Sequence, residues 1–457
     1  MDRKYLWIGL VVVLVGAAAI SLVALPNRQE WTTSSPAALE EFELAIDARM
    51  KLYHTDARAH LERALELDPD FVFAKLLLAD MLEWYEPDRA KALFNDVLSA
   101  DLDRLQQRER FFIQLAEARH EKRMADAARL IDEYYSKHPD DPWVIESIAN
   151  QAFYRGESET AERLFRRLLE VAPNWVVAYN QLGYITMAQG RFAEAEEYFT
   201  SYRFIAPDQA NPHDSLGDLY MIQGRYDDAE TSVVRAIEIR PDFWAAHMHL
   251  VHARLLRNDV AGAWDAIESW QGVEDAMVRE VAAWRCVIET VDLDLDQSWG
   301  ELLANADSKC VEKAYPAGYV PAATHRAACE MGDWETAAAF EARLEKQLEK
   351  AKDKGAEKSM SEAWPTLLHM QGVRLALQGD LENAEMKFRN ADAQLTYRES
   401  VPGMFKLRNR LLLVETLFAQ GRDAEAHKLL AKVRSVNPAI VGEFEENGLK
   451  SLGLERG

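Results

Sequence analysis

The chain of 457 residues has only three cysteines, Cys286, Cys310 and Cys329. Three thiols make no disulfide framework, and any one pairing leaves a cysteine over. Positive charge is also scarce: 53 Lys and Arg stand against 76 Asp and Glu, a formal net charge of −23. Phosphate backbones are gripped by a basic footprint, so this deficit excludes a nucleic-acid partner and favours basic or apolar ones. There is no phosphate loop, dinucleotide glycine fingerprint, nucleophile elbow or kinase motif set. Glycines stand mostly singly, which suits helix caps and not a phosphate cradle. Carboxylates are too plentiful for one pair to be picked out as general acid and base. These absences point away from an enzyme and from any cofactor. A disordered chain is excluded as well, since 48% of the residues are hydrophobic and 28% charged.

What is present is a period. Pro139, Pro173, Pro207 and Pro241 stand 34 residues apart, as do Gly156, Gly190 and Gly224. Ala161, Ala195, Ala229 and Ala263 keep the same step, with Phe165, Phe199, Val233 and Ile267. Within Val176 to Pro207, Tyr179, Leu182, Gly183 and Ile185 share the buried side of a first helix. Gly190 caps that helix in a left-handed conformation. Ala195, Phe199 and Tyr202 line one face of a second helix, and Pro207 ends the unit. Small residues at Ala149, Gly183 and Gly217 let the two helices approach closely. A fixed period of this length marks a stacked array of helical hairpins.

The pattern resembles the tetratricopeptide repeat, in full register over residues 142–241. It extends upstream through Ala57, Leu61, Ala64 and Pro69 and through Leu78, Ala79, Ala90 and Phe94. Pro69 and Pro139 differ by 70, which places two extra residues in the Ser99–Gln107 connection. Downstream the pattern weakens. Residues 244–271 lack the cap glycine and the proline, and later units show only as Gly332, Trp334 and Ala337, then Gly379, Ala384 and Phe388, then Gly421, Ala426 and Pro438. The resemblance implies an all-α, right-handed superhelical array.

Tyr5 to Leu25 form 21 positions without a charge, long enough for a bilayer-spanning helix, and Arg3 and Lys4 precede them. The expected organisation is a membrane anchor at 1–26, a polar spacer at 27–36 and the repeat array at 37–271. Divergent hairpins at 272–345, a charged helix extension or linker at 346–363, where any break before a C-terminal sub-array would fall, and C-terminal hairpins with a capping helix at 364–457 follow. On this reading the anchor is a single pass through the inner membrane, with the array in the periplasm. The alternative is an exported protein released by signal cleavage after Ala19 and Ser21. The run from Trp31 to Phe42, with Asp68, Pro69, Asp70 and Phe71, is similar to the segment just after the span in some bacterial receptor kinases and winged-helix regulators. Only four residues precede the span, so their output domain is not expected.

In the tetratricopeptide family the first helices line a concave groove that binds partner proteins or extended peptides. Carried onto this chain, the groove positions include Asn150, Tyr154, Asn180, Tyr184, Met187, Asp214, Asp218 and Met221. Asparagine gives a donor and an acceptor for a peptide backbone, and methionine adapts to varied apolar side chains. The groove lacks the Lys and Arg with which some family members clamp a terminal carboxylate. The expected function is therefore a membrane-tethered, non-enzymatic scaffold, its membrane contact made through residues 5–25 and its partners apolar or basic segments. The alternative is a metal-binding or enzyme-accessory protein using residues 273–360. There His325 and Cys329 lie at i and i+4, within reach of Cys310. His247, His249 and His252 do not share one helix face and make no metal set, so no metal ligand is assigned.

Overall fold

The computed structural model describes residues 30–83, 86–270, 278–304, 319–353, 357–448 and 451–454. Among them all regular structure is helical. The first six helices are α1 (Pro36–Met50), α2 (His54–Leu67), α3 (Val72–Leu82), α4 (Pro87–Leu98), α5 (Gln107–His120) and α6 (Met124–Lys137). The next eight are α7 (Pro142–Tyr154), α8 (Ser158–Val171), α9 (Val176–Ala188), α10 (Phe192–Ile205), α11 (Asn211–Ile222), α12 (Tyr226–Ile239), α13 (Trp244–Leu256) and α14 (Val260–Ser269). Then come α15 (Val278–Leu295), α16 (Trp299–Ala304), α17 (Tyr319–Glu330), α18 (Trp334–Asp353), α19 (Glu357–Leu377) and α20 (Leu381–Gln394). The chain ends with α21 (Ser400–Ala419), α22 (Asp423–Val436) and α23 (Pro438–Glu446).

The hairpins form for the reasons the period implies. A Cβ added at Gly183 would lie 2.3 Å from the Phe199 ring, and one at Gly217 would lie 2.4 Å from Val233. Only the missing side chain lets the first helix press onto the second. The same device returns far beyond the clear repeats, where a Cβ on Gly372 would sit 2.7 Å from the Phe388 ring. Gly190 and Gly224 take φ of +76° and +73° at the ends of first helices, a conformation that costs other L-residues about 1–2 kcal/mol. One period to either side of the Gly156–Gly224 series, Lys122 and Asn258 hold the same left-handed conformation without being glycine. The missing cap glycine in 244–271 is thus a change of residue and not of backbone. The extra residues before α5 form a short 3-10 turn, Leu102–Arg104, capped by Asp101, whose side chain accepts from the Asp103 N–H.

The chain divides into two compact units, 30–49 with 53–137 and 50–52 with 138–454. The expected break at 346–363 is not a boundary between units. In the first unit, residues 31–35 are not a free spacer. Trp31 is buried and stacked on Phe73 at 4.8 Å, Thr32 N–H donates to Glu109 (2.9 Å), and Asp68 accepts from Ser34 N–H (3.2 Å) and the Thr33 hydroxyl. The receptor-like Trp31–Phe42 run is thereby part of the unit's own packing.

The single-pass membrane assignment and the periplasmic placement built on it are corrected: no helix among the described residues is long and apolar enough to cross a membrane. The stretch 5–25 on which it rested lies outside the described residues. Its uncharged length was the one argument for a span.

Candidate peptide-binding groove

Within the second unit the first helices α7, α9 and α11 present equivalent positions at the 34-residue step. Asn150, Tyr184 and Asp218 are one such series, and Phe153, Met187 and Met221 another. The structure treats these equivalents very differently. Tyr154 is 68% exposed, and Asn150 and Phe153 are half-buried. Met187, Met221, Asp214 and Asp218 are buried. Asn180 and Tyr184 are intermediate, joined through Ser215, whose hydroxyl donates to Asn180 Oδ1 (2.9 Å) and accepts from the Tyr184 hydroxyl (3.3 Å).

The cause is α21, which packs against α11. One apolar core contains Met187, Met221 and Ile222 together with Tyr397, Met404, Leu407 and Leu411. Close approach is again bought by glycine: a Cβ on Gly403 would lie 2.9 Å from Ile222. Asn437, which caps α23 through Ile440 N–H (3.0 Å), sits where a Cβ on Gly224 would be, 2.2 Å from its Oδ1. Each large apolar side chain buried here contributes roughly 1.5–3 kcal/mol. This part of the groove is interior, not a surface awaiting a ligand.

A polar chain accompanies that closure. Asp218 Oδ1 accepts from the Ser400 backbone N–H at 2.8 Å. That amide belongs to the first turn of α21, where N–H groups lack partners within the helix and the helix dipole favours a negative charge. A groove carboxylate therefore caps a helix that begins 182 residues later. His249 lies between two carboxylates, with Nδ1 at 2.7 Å from Asp214 and Nε2 at 3.5 Å from Asp218. Burial alone would lower its pKa, but Asp214 and Asp218 raise it to about 10, so it is an imidazolium at neutral pH. Burial raises the Asp218 pKa, against the pull of His249 and Ser400. His252 meets the Ser400 hydroxyl at 3.0 Å, and burial, then the charge on His249, pushes its pKa down to about 3. It is a neutral partner.

The open wall is different in kind. Trp143 and Trp175 meet edge to face at 5.9 Å, and Trp175 Nε1–H donates to Glu146 at 2.7 Å. Glu146 also accepts from Asn150 at 3.4 Å, so this asparagine is partly engaged. Arg398, in the connection before α21, lies with its guanidinium 4.8 Å from the Phe153 ring centroid. Register alone places Asn150 and Tyr154 on this wall, whereas Arg398 and Ser400 carry no repeat signature and were not among the expected groove positions.

The alternative metal set has another occupation. His325 Nε2 bonds Glu341 (2.9 Å), and Arg374 makes a two-pronged contact with the same carboxylate (2.8 and 3.0 Å). Burial, then Glu341, pushes the Cys329 thiol up to about 12, so that in this environment it stays a thiol at neutral pH. Among the described residues no group of three or more ligand-type side chains is placed to hold a metal. Cys329 is free and buried, Cys286 is disulfide-bonded, and Cys310 lies outside the described residues.

A profile of the tetratricopeptide repeat family matches residues 147–210 and 215–275. No curated protein matches the chain. Among solved structures, the chain is 26% identical to a Thermobaculum terrenum O-GlcNAc transferase mutant over 28% of its own length, with a TM-score of 0.27. It spans only 25% of that chain. A tetratricopeptide repeat protein from Parabacteroides merdae is 16% identical over 63% of this chain and 97% of its own, with a TM-score of 0.36. MamA from Desulfovibrio magneticus is 17% identical over 35% and 89%, with a TM-score of 0.31. At these scores none of the three bears on what the chain binds.

Proposed function

We propose that the chain is a non-catalytic repeat scaffold that binds segments of partner proteins, and that its receptive surface is the α7 wall. The observation that carries this reading is the contrast along one register: Tyr154 is 68% exposed, whereas Ile222, two repeats on, is fully buried under α21. Stacked hairpin arrays present extended surfaces that work by contact and not by chemistry. Here the wall formed by Trp143, Asn150, Phe153, Tyr154 and Trp175 offers rigid aromatic area with an amide beside it. Aromatic side chains give much contact area for little lost conformational freedom, which is why they dominate binding hot spots. The acidic net charge of −23 favours basic segments over acidic ones. Asn180 and Tyr184 mark the inner limit of this surface, and Met187, Asp214, Asp218 and Met221 serve closure instead.

Site-specific photocrosslinking in the native cell tests this. A photoreactive residue at Tyr154 is expected to give discrete protein adducts that the same residue at exposed Glu170, on α8, does not give. Identical adduct patterns at both positions, or none at Tyr154, would count against the α7 wall.

A further inference from the structure

We propose that Phe153 and Tyr154 form a guanidinium seat, filled by Arg398 in the free chain, which an arginine of a partner segment takes in exchange. This rests on the reading of the α7 wall as the protein-binding surface and names the side chain it selects.

The geometry is that of an internal ligand. The connection from Leu395 to Glu399 brings Arg398 to the wall between two fixed residues, Tyr397 and, at the start of α21, Ser400. Tyr397 is buried, edge-on to Phe192 at 5.2 Å, and Arg410 donates to its hydroxyl at 2.6 Å. Ser400 is held by Asp218 and His252. Between them Arg398 lies with its guanidinium 4.8 Å from the Phe153 centroid, half-buried and on the ring face. Arg410, by contrast, is gripped by Asp392 through two hydrogen bonds of 2.7 and 3.2 Å. The Arg398 side chain can therefore swing away while its neighbours stay in place. The rings of Phe153 and Tyr154 meet edge to face at 5.7 Å and 72°, with the tyrosine exposed beside the half-buried phenylalanine. A planar guanidinium stacks on such a face better than a compact, strongly hydrated ammonium does.

The probe is a short arginine–glycine repeat peptide, with its lysine–glycine counterpart, titrated calorimetrically into the full chain. Arg398→Ala vacates the seat and is expected to bind the arginine peptide about two- to fivefold more tightly than wild type, with a smaller gain for the lysine peptide. Adding Phe153→Leu or, separately, Tyr154→Ala should remove that gain. Thermal melts of each variant check that the fold is kept, and Tyr154→Ala, at an exposed site, keeps the test open should Phe153→Leu destabilise the hairpin. Equal affinity of wild type and Arg398→Ala, or a gain that survives both second substitutions, would overturn the seat. Adducts at Tyr154 together with no gain for the arginine peptide would sink the seat alone. Loss of those adducts together with a retained gain would sink the wider reading and leave the seat standing.

Discussion

The walls of α7 and α11 occupy the same positions in the repeat and have opposite fates. Tyr154 stands 68% exposed, and its equivalent Ile222 is fully buried. Gly190, at the end of α9, and Gly224, at the end of α11, also differ in what they meet. Both are left-handed caps, yet nothing lies within 4 Å of a Cβ built on Gly190, while one on Gly224 meets Asn437 at 2.2 Å. Repeat position therefore decides where a side chain points but not what it meets. The encounter is set by whether the C-terminal hairpins return to that level of the array.

The largest expected effect breaks the closed side. Gly224→Ala adds both left-handed strain and a collision with Asn437, and should cost about 2–4 kcal/mol in urea unfolding. Gly190→Ala should cost only the strain, about 1–2 kcal/mol. Equal costs would mean that Asn437 yields freely and that the closure is soft. Next in size, Asp218→Ala leaves the Ser400 amide and the His249 imidazolium short of a partner in a buried site, for a loss of about 2–3 kcal/mol. Asn150→Ala, at the equivalent position two repeats earlier, should stay within about 0.5 kcal/mol.

Much of this was legible beforehand and some was not. The hairpins, their caps and the small residues at Gly183 and Gly217 follow from side-chain volume and backbone freedom within one unit. Such local rules show in the residue types. Gly372 stands 16 residues before Phe388, as Gly183 does before Phe199, and that spacing would have disclosed the late hairpin's packing. The closure is another matter, because a groove aspartate has the same register whether it meets a peptide or the first turn of α21. Asp218, Met187 and Met221 thus read as groove residues by position alone. Asn258 likewise hides its left-handed backbone, since asparagine is common in other conformations.

The pH dependence sharpens the comparison further. The pKa of His249 is raised to about 10, above its ordinary value of 6.5. Its stabilisation is complete below about pH 6.5 and is lost as the pH rises through about 10. His252 has the opposite sign: its pKa is depressed to about 3, so its contribution holds above about pH 6.5 and fades as the pH falls toward 3. His369, which burial pushes down to about 4 against a 3.0 Å hydrogen bond with Asn409, adds to the acid side. Melting temperatures measured from pH 3 to 10 should fall at both ends, and His249→Leu should flatten the alkaline fall specifically. An unchanged alkaline limb in that variant would mean that the imidazolium adds nothing to the closure.

The smallest effect belongs to the open side. Tyr154→Ala should change stability by no more than about 0.5 kcal/mol, because little of that ring is packed. A loss above about 1 kcal/mol on thermal or urea unfolding would show the wall to be structural.

The bond between Asp218 and the start of α21 also sets a timetable for synthesis. It joins residues 182 apart, and the one between Tyr226 and Asn437 spans 211. An open stack of hairpins is completed by near neighbours as each emerges. At roughly 5–20 residues per second, α11 leaves the ribosome about 10–40 s before the helix that covers it. Throughout that interval Met187, Met221 and Ile222 face water on a nascent chain. Contacts of such long range also slow folding after release. The vulnerable species is thus the unfinished chain, and loss of the C-terminal hairpins would make that state permanent, with aggregation as its expected outcome.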